Sequence, residues 1–198
     1  MAVSEVTICN KALGMLGATR ITSLSDATKN AGLCQENYEI IRDAVLEDAP
    51  WSFALVRAQL PADVTAPLFG WGKSFTLPSA ALVVWEFNEE RDDYIVEGGK
   101  ILTNASTCNV IYGSKVTDPS KFSALYVVAL AARLAAEIAM PITHSKANVD
   151  SMMLLYDDAL KRALKSDGRQ GKAKSIKSSK LVNPRFRNSI GQSMGPDV

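Results

Sequence analysis

Five carboxylates fall within eight residues: Glu86, Glu89, Glu90, Asp92 and Asp93. Acids spaced that tightly can hold a metal ion or exchange protons as an acid–base pair. A hydrated loop between two strands is the expected reading, because a charge run needs no partner but water. A more specific use exists in a ring with DNA passing through, where such a loop repels phosphates and prevents sticking. The single histidine, His144, sits in Thr143-His144-Ser145, where a turn or capping role is expected. A Ser-His-Asp or Cys-His site would have to use it, and nothing local suggests that a base and a nucleophile meet there. Gly70-Trp71-Gly72-Lys73 lacks the spacing of a phosphate loop and reads as a loop apex. No HExxH, CxxC or EF-hand pattern occurs. No catalytic residue, cofactor or metal site is therefore expected.

Three cysteines, Cys9, Cys34 and Cys108, are odd in number and widely spaced, so no disulfide framework is expected. Cys9 and Cys34 lie on apolar helical stripes, where small buried thiols are common, and a reducing site of synthesis is the simplest reading. The opening MAVSEVTICN lacks the pattern of a secretory signal.

Charge is divided along the chain. Residues 165–198 carry eight basic and two acidic side chains, a balance of +6, while residues 1–164 carry 14 basic and 19 acidic, a balance of −5. A mildly acidic body with a basic tail points to a docking partner. Residues 167–180 are almost wholly Gly, Lys, Ser, Gln and Arg, too polar to form a core. Beyond them Leu181, Pro184, Phe186 and Ile190 alternate with Arg185 and Arg187, a pattern suited to ordering on a partner.

The elements that must carry these groups follow from periodicity. Ser4 caps a first helix over 4–17, with Val6, Cys9, Leu13 and Leu16 on one face and Gly17 closing it. Ser25 or Asp26 opens a second helix that ends at Pro50, with Ala31, Cys34, Tyr38, Ile41 and Val45 as its stripe. Arg42 and Asp43 fall outside that stripe. Trp51 and Phe53 mark a packed hinge into a β region. Strands are expected at 73–77, 81–87, 94–96, 101–103 and 108–112, with Gly98-Gly99 turning a hairpin because its favoured turn needs φ > 0 at both positions. Asp118 and Pro119 open a third, alanine-rich helix that stops before Pro141. Its apolar run, 122–142, is long enough to span a bilayer. Arg133 and Glu137, spaced i, i+4 at its centre, suit an ion-paired helix of a soluble domain instead. A fourth helix covers about 145–165 on Val149, Met152, Tyr156, Ala159 and Ala163. The expected fold class is α+β, mainly α: a four-helix bundle with an inserted small antiparallel β module and an extended C-terminal tail. The divisions are 1–49 for helices one and two, 50–117 for the β module, 118–166 for helices three and four, and 167–198 for the basic docking tail.

Four stretches together carry a family likeness. They are Ile8-Cys9-Asn10-Lys11-Ala12-Leu13-Gly14-Met15-Leu16-Gly17 with Ile21-Thr22-Ser23-Leu24; Arg42-Asp43-Ala44-Val45-Leu46-Glu47 with Pro50-Trp51-Ser52-Phe53-Ala54; Leu77-Pro78 with the 94–102 hairpin; and Asp118-Pro119, Phe122 and the Ala-rich helix ending Met140-Pro141-Ile142-Thr143. In order and spacing, over about residues 6–166, the chain resembles the phage head-to-tail adaptor family known as tail tubular protein A. The resemblance implies a helical bundle with an inserted β domain, assembled as a twelve-fold ring under the portal protein. It also implies a C-terminal segment reaching onto the portal and a β domain directed at the downstream tail or nozzle protein. On that basis Leu181, Pro184, Phe186 and Ile190 are portal anchors, and Arg185 and Arg187 pair with portal carboxylates. Glu89, Glu90, Asp92 and Asp93 face the channel or the tail. Double-stranded DNA passes through the lumen without specific binding, no membrane is involved, and the protein is made in the host cytoplasm and resides in the virion. Two other readings are a DNA-binding accessory protein using the basic tail and, less well supported, a tail-associated hydrolase using Glu89 or Asp92.

Overall fold

The computed structural model describes residues 3–90 and 92–167. It is a mixed α+β fold with four helices and two small antiparallel sheets. Helix α1 spans Glu5–Met15, and the Ser4 hydroxyl accepts a hydrogen bond from the Thr7 amide at 3.2 Å, as the capping pattern predicts. At its far end Gly17 adopts φ 66°, the Ala18 amide donates to Leu13 O at 2.9 Å, and the Gly17 amide to Gly14 O at 3.3 Å. That pair of bonds closes a helix on a left-handed residue, which glycine supplies without steric cost.

Helix α2 spans Lys29–Glu47, and all five predicted stripe residues are buried. Its cap is Thr28, correcting the expectation of Ser25 or Asp26. The Asp26 carboxylate instead turns back to accept from the amides of Thr22 and Ser23, at 2.8 and 3.1 Å. Short acidic side chains bond nearby backbone in this way, and the bond competes with capping. Arg42, outside that stripe, is nevertheless buried at 1% exposure.

Six strands follow: β1 Leu55–Leu60, β2 Lys73–Thr76, β3 Ala81–Phe87, β4 Tyr94–Glu97, β5 Lys100–Thr103 and β6 Cys108–Ser114. The sequence reading expected four or five, and β1 is the addition. One sheet has the order β1-β6-β3 and the other β2-β5-β4. The β4–β5 hairpin turns on Gly98 and Gly99 at φ 56° and 74°, as predicted. Gly113 in β6 is required for closeness: a Cβ there would lie 3.0 Å from Trp85 Nε1 and 3.1 Å from Val83 Cγ1. Both sheets contribute to one small core of Phe75, Phe87, Ile101, Cys108, Val110 and Tyr112, separate from the helical core.

Helix α3 spans Ala124–Thr143, capped by Ser123 rather than Asp118. Asp118 caps a single 3-10 turn, Pro119–Lys121, and extended backbone at Phe122 and Ser123 separates that turn from the helix. Pro141 does not stop α3, which runs on to Thr143. A proline lacks the N–H that would reach the carbonyl four residues back, but in a last turn that costs a single bond. The end is closed by His144 at φ 51°, whose amide donates to Met140 O at 3.0 Å. By length and composition α3 is apolar enough to cross a membrane, but 56% of that window is buried inside the chain. It packs against α1, α2 and α4, and the Arg133–Glu137 pair forms at 3.2 Å. Helix α4 spans Lys146–Asp167 and buries Tyr156, Ala159 and Ala163.

The passage between helices and sheets is aromatic. Trp51 is 1% exposed and stands edge-on to Tyr126 at 4.9 Å, and Tyr126 also contacts Phe53 and Phe122 at 5.1 and 4.8 Å. Polar ends are satisfied: Trp51 Nε1 donates to Val45 O at 2.7 Å and the Tyr126 hydroxyl to Arg42 O at 3.0 Å.

Candidate functional site

The acidic run is organised by one uncharged residue. Asn88, 8% exposed, begins a short turn, Asn88–Glu90, in which Asn88 and Glu89 take left-handed φ values of 42° and 57°. Asparagine tolerates that conformation better than most residues. Its side-chain amide donates to Asp92 Oδ2 and to Thr107 O, and its carbonyl oxygen accepts from the Asn109 amide, all at 2.8 Å. The turn is thereby tied to the start of β6 and to the acids that follow. On the other side the buried Thr103 hydroxyl donates to Asp93 O at 2.8 Å. Asp92 and Asp93 remain exposed to solvent, Glu89 likewise, and Glu90 ends the turn.

Beside this turn lies an open groove of about 550 Å³ across β1, β6 and β3. Glu86, Glu89 and Asp92 contribute to its lining against one cation, Arg57. The groove therefore favours cationic groups and repels phosphate. Among the described residues no three His, Cys, Asp or Glu side chains converge in a way that could hold a metal ion. His144 lies at the end of α3, apart from the lining of this groove.

A second cluster joins the helices to the β module. Arg42 Nε donates to Asp43 Oδ1 at 2.8 Å, and Lys115 Nζ, one residue past β6, pairs with Asp43 Oδ2 at 2.9 Å. Burial disfavours the Asp43 carboxylate, but the bonds from Arg42 and Lys115 outweigh it and hold the group below its ordinary value. Arg42 Nη2 and Tyr38 Oη are buried without a hydrogen-bond partner among the described residues. Cys9, Cys34 and Cys108 are buried free thiols. The bond to Cys34, with burial, keeps Cys9 protonated, and burial pushes Cys108 up to about 11.

Leu181, Pro184, Arg185, Phe186, Arg187 and Ile190 lie outside the described residues. Sequence reasoning picked out the acids but not Asn88, whose partners come from 19 and 21 positions later. It also read only Gly70-Trp71-Gly72-Lys73 as a loop apex, at the end of the 61–72 connection. That connection carries Val64, Leu68 and Phe69 at 105%, 97% and 86% exposure, and the signal available was its uncharged run from Val64 to Gly72. No protein-family model matches the chain, and no curated protein matches it.

Proposed function

We propose that this chain is a virion structural adaptor, a ring that joins the portal vertex of a phage capsid to the tail and lines the DNA exit channel. The observation that carries the reading is the order of parts: two helices, a β module with its own core, then α3 packed back on the first pair and α4 packed on α3. That order accords with the resemblance to the tail tubular protein A family. In this reading α1 to α4 form a four-helix bundle that builds the ring body, in about twelve copies. Closed rings need two different faces on each subunit that fit each other. The acidic groove supports a place at the lumen or toward the tail, since its carboxylates weaken any grip on passing phosphates. The basic segment with Leu181, Pro184, Phe186 and Ile190 threads onto the portal, with Arg185 and Arg187 on portal carboxylates. An attachment repeated around a ring gains strength through effective concentration.

Charge division favours one other reading, a DNA-binding accessory protein using the basic tail. Negative-stain class averages of the portal with full-length chain, beside a version ending at Ser166, separate the two. An added ring that weakens on truncation supports the adaptor and a tail anchor. A ring that survives truncation moves the anchor to the helical body. No ring with either form, together with salt-sensitive DNA binding by the full-length chain alone, sinks the adaptor reading.

A further inference from the structure

β1 and β3 are the edge strands of one sheet, and β2 and β4 those of the other. The two edges of the β2-β5-β4 sheet each carry half of an apolar contact. The β1–β2 connection projects Val64, Leu68 and Phe69 almost wholly into solvent, and no charge occurs between Val64 and Gly72. This projection is held in place at its base. The Asp63 amide donates to Ser74 O at 2.8 Å, and its carboxylate accepts from Ser74, Thr76 and Lys100 at 2.8, 2.9 and 2.8 Å. The Gly72 amide donates to Asn104 Oδ1 at 2.8 Å. Pro67 and Gly70, at φ 82°, shape the tip between these pins. An apolar tip already fixed in position loses little freedom when it binds.

At the β4 edge, where Val96 faces β3, is a pocket of about 240 Å³ lined by Leu77, Ala81, Leu82, Val83, Val84 and Val96. It is smaller than the roughly 300–1,000 Å³ of sites that enclose drug-sized ligands, and it offers room for one or two large side chains. Its lining carries no charge. Beside it, β4 leaves Tyr94, Ile95 and Val96 at 37%, 46% and 46% exposure on an unpaired edge. The tip does not fill the pocket of its own chain, since Val64, Leu68 and Phe69 are all exposed.

We propose that the Leu68-Phe69 tip of one copy seats in the Val83–Val96 pocket of the next, joining copies of this chain head to tail through their β modules. The occupant is a second copy because one chain bears both complementary halves on opposite edges, the arrangement a heterologous contact requires. Closure of such contacts into a ring rests on the adaptor reading; the contact itself does not.

Sedimentation velocity on the full chain tests it with two exposed-site variants, Leu68→Ser with Phe69→Ser, and Val96→Glu. Wild type should associate with rising concentration, and each variant should associate about tenfold more weakly. An equimolar mixture should recover a 1:1 heterodimer and nothing larger, since only one intact tip and one intact pocket remain to meet. A photo-cross-linking residue at Phe69 should map to 81–84 or to Val96. Variants that associate like wild type, or cross-links that map elsewhere, overturn the contact and leave the ring reading standing. A wild type that neither associates nor cross-links at any soluble concentration also overturns it. Copies that join by tip and pocket but add no ring to the portal keep the contact and remove the adaptor reading.

Discussion

Replacing Asn88 with alanine takes away three hydrogen bonds, to Asp92, Thr107 and Asn109, each 2.8 Å long. At a net 0.5–1.5 kcal/mol each, discounted because the turn lies beside open water, the bonds amount to about 2 kcal/mol. The backbone adds to this. Asn88 sits at φ 42°, where a Cβ without a compensating polar group costs about 1 kcal/mol more. The alanine variant should therefore lose about 3 kcal/mol, and Asn88→Gly about 2, because glycine recovers the backbone share. The two cores need not unfold together, so the assay must be local. Hydrogen exchange at the Asn109 amide, which loses its acceptor in both variants, reads the β module. Urea unfolding, followed through the helix-core Trp51 and the β3 Trp85, reads each half. Both variants within about 0.5 kcal/mol of wild type would show that Asn88 does not organise the acidic turn. Glycine as damaging as alanine would show that the left-handed backbone carries no cost.

The pins at Asp63 predict a pH dependence. Bonds from Lys100, Ser74 and Thr76 bring its carboxyl down from 3.8 to about 2. A folded value below the unfolded one stabilises fully above about pH 3.8 and is lost as pH falls through about 2. Amide exchange at Asp63 and Gly72 should rise over that window, and Asp63→Asn should flatten the response. In α3, Ala135 is wholly buried, so Ala135→Leu should overpack the helix interface and cost about 1–3 kcal/mol by thermal unfolding. Leu154→Ala, at a position 71% exposed in α4, should be within about 0.5 kcal/mol of wild type and serves as the control.

What was legible in the sequence was local and periodic. The α1 cap at Ser4, the Gly17 stop, the α2 stripe and the Gly98-Gly99 turn each depend on residues a few positions apart. Strand β1 was not legible because it lies at a sheet edge with none of its six residues, Leu55–Leu60, fully buried, so no alternation marks it. The α3 start was misplaced because Asp118-Pro119 opens a real turn, and only the extended backbone at Phe122 and Ser123 separates it from the helix. The burial of Arg42 had no signal in the sequence, since it falls outside the α2 stripe; its stem lies in the core and its Nε meets Asp43. The acidic residues were visible, but the shape of their turn was not, since it depends on Thr107 and Asn109 from a strand still to come.

The chain enters the β module along β1 and leaves it along β6, and these strands are neighbours, with Leu55 opposite Gly113 and the Ser114 amide bonded to Ala54 O at 2.8 Å. A pull that drags the module off the helices thus tensions two covalent cables lying side by side and places little shear on the bonds between them. Extension is resisted by backbone, while bending across this narrow ribbon is opposed by the side chains at its root, Lys115 on Asp43 among them. The joint therefore meets stretch along two backbones at once, and meets flexure through Lys115 on Asp43 and Leu82 of β3 packed against the helical core.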